Sequence, residues 1–193
     1  MLAMGGLWDG YVSIRDVNTG EAITRGLEGP ERQIISVAFS PSGNIFAAGS
    51  NFGKVRLWNI KTGQLLHELD TASEDDVTGL MFSPDESELA TATGGYLGAI
   101  LPVEVWDAKT GKLLYTLEDP NFNPSFSPDG LVLATSGIEG TLLVYDVASG
   151  QLLKSLPDVG AITKLIFSRD GLILASVHND GEVWFWGVPT RKK

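Results

Sequence analysis

The chain has 193 residues, 43% of them hydrophobic, with 23 glycines and no cysteine. That length is enough for a core of its own, and a chain without cysteine has no disulfides and no thiolate metal sites. Asp plus Glu number 24 against 14 for Lys plus Arg, a net charge of −10. Most of the surface therefore repels a phosphate backbone, and nucleic acid is not an expected partner. The opening MLAMGGLWDG lacks the basic end and long apolar run of a secretory signal. No run approaches the roughly 18 apolar residues that span a bilayer, so no membrane partner is expected. A cysteine-free composition fits the cytoplasm, although exported proteins share it.

The first 29 residues read as three strands. Leu2 to Gly6 is the first, Tyr11 to Asp16 alternates like a half-buried strand, Asn18-Thr19-Gly20 is a turn, and Glu21 to Leu27 is the third. The next unit is fuller: Ile34 to Phe39, the turn Ser40-Pro41-Ser42-Gly43, Ile45 to Ser50, Lys54 to Asn59, the turn Lys61-Thr62-Gly63, and Gln64 to Leu69. In the first turn proline pre-sets φ and glycine closes the fourth position. Further units run from Val77 to Leu117 and from about Asn121 to Leu156. The last begins at Ala161 and supplies three strands before Trp186-Gly187-Val188-Pro189 and a basic tail, Arg191, Lys192 and Lys193.

The units share a period. FSPSG at Phe39, FSPDE at Phe82, FSPDG at Phe126 and FSRDG at Phe167 lie 43, 44 and 41 residues apart, which points to a propeller or solenoid. No stretch of helical length shows a 3.6 period, so a βαβ reading fails. The expectation is an all-β fold of eighteen strands in antiparallel meanders. They form five units (1–29, 30–70, 71–118, 119–157 and 158–193) of one region, the first lacking its opening strand and the last its closing one. Ala3, Ala47, Ala90, Ala134 and Ala175 recur in the second strands, where close approach of sheets near an axis leaves no room for a larger side chain. The third strands end in Arg15, Trp58, Trp106, Tyr145 and Trp186, four large aromatics suited to wedge the gaps between sheets.

The FSPDG turn, the alanine of the second strand, Trp106-Asp107 and the Thr-Gly turn resemble the WD-repeat (WD-40) β-propeller family. The resemblance covers essentially the whole chain. It implies four-stranded antiparallel blades, typically seven to a ring, of which five units make an open arc. On that reading the chain is the C-terminal portion of a larger propeller. Its exposed edges would then meet the missing blades of a parent chain or associate with each other. The family's Gly-His pair is absent: His67 falls in a fourth strand and His178 in a second. Its turn aspartate matches only Asp9 and Asp180, with Phe52 and Glu139 in the equivalent places. The Asp–His–Ser–Trp hydrogen-bond network of the family is therefore not expected, and the blades should hold by packing alone. Pro124 falls in a first strand, which lines the channel as an edge where a missing N–H does little harm.

In the family, the second-to-third and fourth-to-first loops share one face, the top. Here that places Trp8, Phe52, Ile138, Asn179 and the insert Gly94 to Pro102, with Tyr96, Leu97, Ile100 and Leu101, on the top. The apolar groups make either a contact patch for a partner peptide or a hairpin that buries its own side chains. The fourth-to-first loops carry Glu28, Glu31, Glu74, Asp75, Asp76, Glu118, Asp119 and Asp158, opposed only by Arg32. Such a rim either steers a basic partner or is solvated loop charge. Calcium at Glu74-Asp75-Asp76 is a lesser reading, because adjacent carboxylates on one loop rarely converge.

Two histidines without cysteine form no metal cluster, and neither lies in a nucleophile or HExxH context. His178 beside Asn179-Asp180 reads as a loop histidine with ordinary hydrogen bonds. Asp85, Asp129 and Asp170 belong to turns, where carboxylates bond local amides. The expected function is a non-enzymatic interaction scaffold without cofactor or metal. Its contact residues would be Trp8, Phe52, Tyr96, Leu97 and Ile138, with Glu74, Asp75 and Asp76 as the steering rim for a basic protein or peptide. Alternatives are a lactonase- or quinoprotein-like propeller enzyme, which needs converging carboxylates, histidines or a tryptophan platform on inner strands whose one charge here is Lys164, and a structural fragment with no activity of its own.

Overall fold

A computed structural model of the chain describes residues 2–5, 10–30, 33–94 and 102–188. β1 (Leu2–Gly5), β2 (Tyr11–Arg15) and β3 (Ala22–Glu28) form one sheet. A second sheet contains β4 (Ile34–Phe39), β5 (Ile45–Ser50), β6 (Lys54–Asn59) and β7 (Leu65–Asp70). A third runs through β8 (Val77–Phe82), β9 (Glu88–Thr93), β10 (Pro102–Asp107), β11 (Leu113–Phe126), β12 (Val132–Gly137), β13 (Thr141–Asp146) and β14 (Leu152–Leu156). β15 (Ile162–Phe167), β16 (Ile173–His178) and β17 (Val183–Gly187) complete the set. Every strand pairs antiparallel with its sequence neighbour inside a sheet.

The seven-stranded sheet differs from the expected pair of separate blades. β11 is 14 residues long, and its first half pairs with β10 while its second half pairs with β12. It therefore serves as the outer strand of one blade and the inner strand of the next. The pairs Pro102 with Pro120 and Asn121 with Gly137 keep the backbone extended across what would otherwise be a loop. Counted by function there are five blades, in an open arc. The inner strands pack in order around its axis, β4 on β8, β8 on the end of β11, and β11 on β15.

Turn chemistry accounts for the repeat. Ser83, Ser127 and Ser168 donate their hydroxyls to Asp85, Asp129 and Asp170, and each serine accepts the amide of the residue that opens the next strand. At the other turn, Asp107 Oδ1 accepts the amides of Lys109 and Thr110. The hydrogen bonds from Thr110 hold its carboxyl below the usual range. Glu86 stands where the other three turns have glycine and adopts φ 64, which costs a side-chain-bearing residue about 1–2 kcal/mol. Its carboxylate offsets this by accepting the amide and the hydroxyl of Ser42 in the neighbouring blade.

The aromatic ending each third strand lies between blades. Trp58 packs with Val12, Ile14 and Leu27 of the first blade, and Trp106 with Val55, Leu57 and Leu69 of the second. Tyr145 packs with Val103, Val105 and Leu117 of the third, and Trp186 against the cluster holding Leu142 of the fourth. Alternation along a strand explains this arrangement. One face of each third strand carries the aromatic back toward the preceding blade, and the other supplies the apolar floor for the next. Arg15 takes the aromatic's place in the first blade and donates instead to Gly20 O at 2.9 Å.

Packing is not the whole of it, which corrects the expectation drawn from the missing Gly-His pairs. In the last blade Trp186 Nε1 donates to Ser176 Oγ at 2.9 Å, and Ser176 Oγ lies 2.8 Å from His178 Nε2. His178 is a buried residue ending β16, not a loop histidine. It reaches Ser176 because residues two apart on a strand share a face. In the third blade Trp106 Nε1 donates to Thr91 Oγ1 at 3.0 Å.

Replacing Trp58 or Trp106 by alanine should lower the unfolding free energy by about 3–5 kcal/mol. Arg15→Ala, which empties no gap between described blades, should cost less than about 1 kcal/mol. Urea unfolding of the three variants measures both.

Candidate functional site

The candidate site is the loop face at the junction of the second and third blades. Phe52 sits in the β5–β6 turn with 55% of its surface exposed. Its neighbour Gly53 has φ +65, and a Cβ there would lie 1.7 Å from Ser73 O. Glycine is thus needed both for conformation and for space. This close approach ties the turn to the acidic β7–β8 loop. Gly53 N donates to Asp75 O at 2.9 Å, and Thr71 N donates to Gly53 O at 2.8 Å. Thr71 Oγ1 bridges Gly53 O and Ser73 O, and Ser73 Oγ donates to Asp75 Oδ2 at 2.9 Å. Glu74 is exposed, and Asp75 and Asp76 are half-buried.

The structure thus brings Phe52 together with the loop of Glu74, Asp75 and Asp76. Ile138 opens a 3-10 turn, Ile138–Gly140, between β12 and β13 in the fourth blade and is 45% exposed. Trp8, Tyr96 and Leu97 lie outside the described residues, as do Ile100 and Leu101.

Two side chains that organise these loops were not singled out in the sequence. Arg56, two residues before Trp58, donates through Nη1 to Glu28 O at 3.0 Å and Gly29 O at 2.9 Å, and pairs with Glu68. Glu104, two before Trp106, is 4% exposed and its Oε1 accepts Ala72 N at 3.1 Å. Burial pushes the Glu104 carboxyl above its ordinary range. The two occupy the same position of successive blades with opposite charge. Each fits what its loop presents, carbonyls at 28–29 and an amide at 72. The available signal was a charge inside an otherwise apolar third strand, VRLW and VEVW.

On the axis is a cavity of about 520 Å³. Ser36, Thr78, Asn123, Ser125 and Lys164 supply its side-chain polar atoms, and Pro124 contributes an apolar wall. Lys164 is its one charged lining residue among those described. Also among the described residues, no three His, Asp or Glu side chains are grouped so as to hold a metal ion, and no helix is long and apolar enough to cross a membrane.

Residues 24–85 match the family described as the anaphase-promoting complex subunit 4 WD40 domain. WD repeat-containing protein SL1-17 of Schistosoma mansoni is 28% identical over 191 residues, which is 95% of this chain and 60% of that protein. THO complex subunit 3 of Arabidopsis thaliana is 31% identical over 64% of the chain and 40% of its own length. Pre-mRNA-processing factor 19 of Bos taurus is 28% identical over 77% and 30% respectively. The chain spans less than two thirds of each. The crystal structure of the computationally designed Ika8 protein superposes with a TM-score of 0.79 at 29% identity, over 96% of this chain and 55% of that one. With repeated blades, interblade aromatics and these likenesses in agreement, the chain belongs to the WD-repeat β-propeller family.

Proposed function

We propose that the chain is a non-enzymatic interaction module that presents its loop face to a basic protein or peptide. The observation that carries this reading is the exposed Phe52 ring on a turn hydrogen-bonded to the acidic loop. That pairing puts an apolar contact and a steering charge on one fixed scaffold. Aromatic anchors supply much of the binding energy at interfaces, while surrounding charge chiefly raises the association rate. Ile138 extends the apolar contact to the fourth blade, and Trp8, Tyr96 and Leu97 belong to the same face by their place in the repeat. One similar protein, a THO complex subunit, and the matching family, an anaphase-promoting complex subunit domain, carry names that place them in complexes, which supports a scaffold. The axial cavity, with hydroxyls, an amide and a lone ammonium, supports binding rather than acid–base catalysis.

The test begins with affinity capture from a lysate on the immobilised chain, followed by kinetics with the captured partner. Reversing Glu74 and Asp76 to lysine leaves Asp75 to hold Ser73, and should slow association about tenfold at low salt while flattening its salt dependence. Unchanged association would remove the steering role. Phe52→Ala should act on dissociation instead, weakening binding by about 2 kcal/mol. Binding that survives both changes would place the partner elsewhere on the propeller.

A further inference from the structure

A single carboxylate interrupts the apolar lining of the gap between the third and fourth blades. Glu88 is the first residue of β9, the place held by Ile45 in β5, Val132 in β12 and Ile173 in β16. Alternation puts it on the face of Ala90 and Ala92, which pack in the cluster between those blades. Its Oε2 is buried without a hydrogen-bond partner. The charges acting on it among the described residues are Asp85, in the preceding turn, and Asp107, its cross-strand partner on β10. Both are negative. The cation Lys109 acts on Asp107.

From β11, Tyr115 faces the same region and feels the charge of Glu88 and of Asp146. Tyr115 is also a latch to the fourth blade. Its hydroxyl donates to Val147 O at 2.7 Å, and its ring lies so close to Gly150 that a Cβ there would come within 2.7 Å of it. The charged group thus stands beside the contact that joins the two blades.

We propose that Glu88 is a proton-operated switch at the junction of the third and fourth blades: neutral, it fits the gap as Ile45 and Val132 do in the second and fourth blades; ionised, it loosens the Tyr115 latch. A half-buried carboxylate whose inner oxygen, Oε2, has no partner, next to two others, favours its neutral form. Burial first, then Asp85 and Asp107, push Glu88 up to about 7. A folded-state value above the unfolded one means the stabilisation is complete below about 4.5, the ordinary carboxyl value, and is lost as pH rises through 7.

Thermal unfolding of the full chain between pH 5.5 and 8.5 tests this, with Glu88→Gln and Glu88→Ile alongside. The wild-type Tm should fall by about 2–4 °C across the window relative to both variants. His67 and His178 are present in all three proteins, so the difference isolates position 88. Parallel profiles for wild type and Glu88→Gln would overturn the proposal. Hydrogen exchange, corrected for its intrinsic pH dependence, gives the local readout. Protection over residues 113–117 and 147–150 should drop at pH 8.5 in wild type but not in Glu88→Gln. A Tm difference without that local loss would refute the latch.

Discussion

The structure depends on one contact repeated four times, an aromatic ring of one blade on the aliphatic floor of the blade before it. Sheets that fan around an axis diverge outward, and the widening space must be filled by something larger than a leucine. Trp58, Trp106, Tyr145 and Trp186 do this at one register position; the pairs Val12 and Ile14, Val55 and Leu57, and Val103 and Val105 receive the first three, and the cluster of Leu142 receives Trp186. Because a strand alternates its faces, one third strand both fills the gap behind it and floors the gap ahead. The fold therefore propagates from blade to blade without a central core, as stability does in repeat proteins generally.

Polar groups act on top of that packing as clasps, each reaching from one blade to the next. His67 Nε2 donates to Lys109 O at 2.8 Å, and Tyr115 makes the corresponding bond to Val147 O. Ser36 Oγ donates to Val77 O at 2.6 Å between two inner strands. These bonds stabilise little individually, but they set the angle at which blades meet. The angle decides where the loops stand.

The strands and their turns were legible because each unit spells the same turn chemistry, with serine and aspartate at offsets where their oxygens meet amides two to five residues away. Such contacts are local, and local contacts can be read from spacing. The Ser176–His178–Trp186 chain was missed because the histidine was sought in a Gly-His pair before the first strand, whereas here it stands two residues beyond the serine on the same strand. The merging of two strands into β11 was also hidden. It depends on Pro120 and Asn121 finding partners at Pro102 and Gly137, residues 16 to 18 positions away. The candidate site was only partly legible: the sequence marks Phe52 and the acidic trio separately, and it is Gly53 against Ser73 that joins them.

The position two before the closing aromatic of a third strand shows how a regular scaffold accommodates irregular loops. Counting two back from the aromatic gives Arg56, Glu104, Leu143 and Trp184, a cation, an anion, an aliphatic and an aromatic at one geometric point. Nothing in the blade itself asks for such variety, since the flanking residues Val55 and Leu57 or Val103 and Val105 are nearly constant in kind. For the two charged members the variable partner is the loop entering the blade: carbonyls at 28–29 require a donor, and the amide of Ala72 requires an acceptor. At Glu104, which is buried, a charge left without such a partner would cost several kcal/mol; Arg56 is half-buried and would lose less. A change in the loop at Ala72 therefore has to be matched by a change at Glu104. These loops are consequently built into the blades, and their positions follow from the same packing that stabilises the fold.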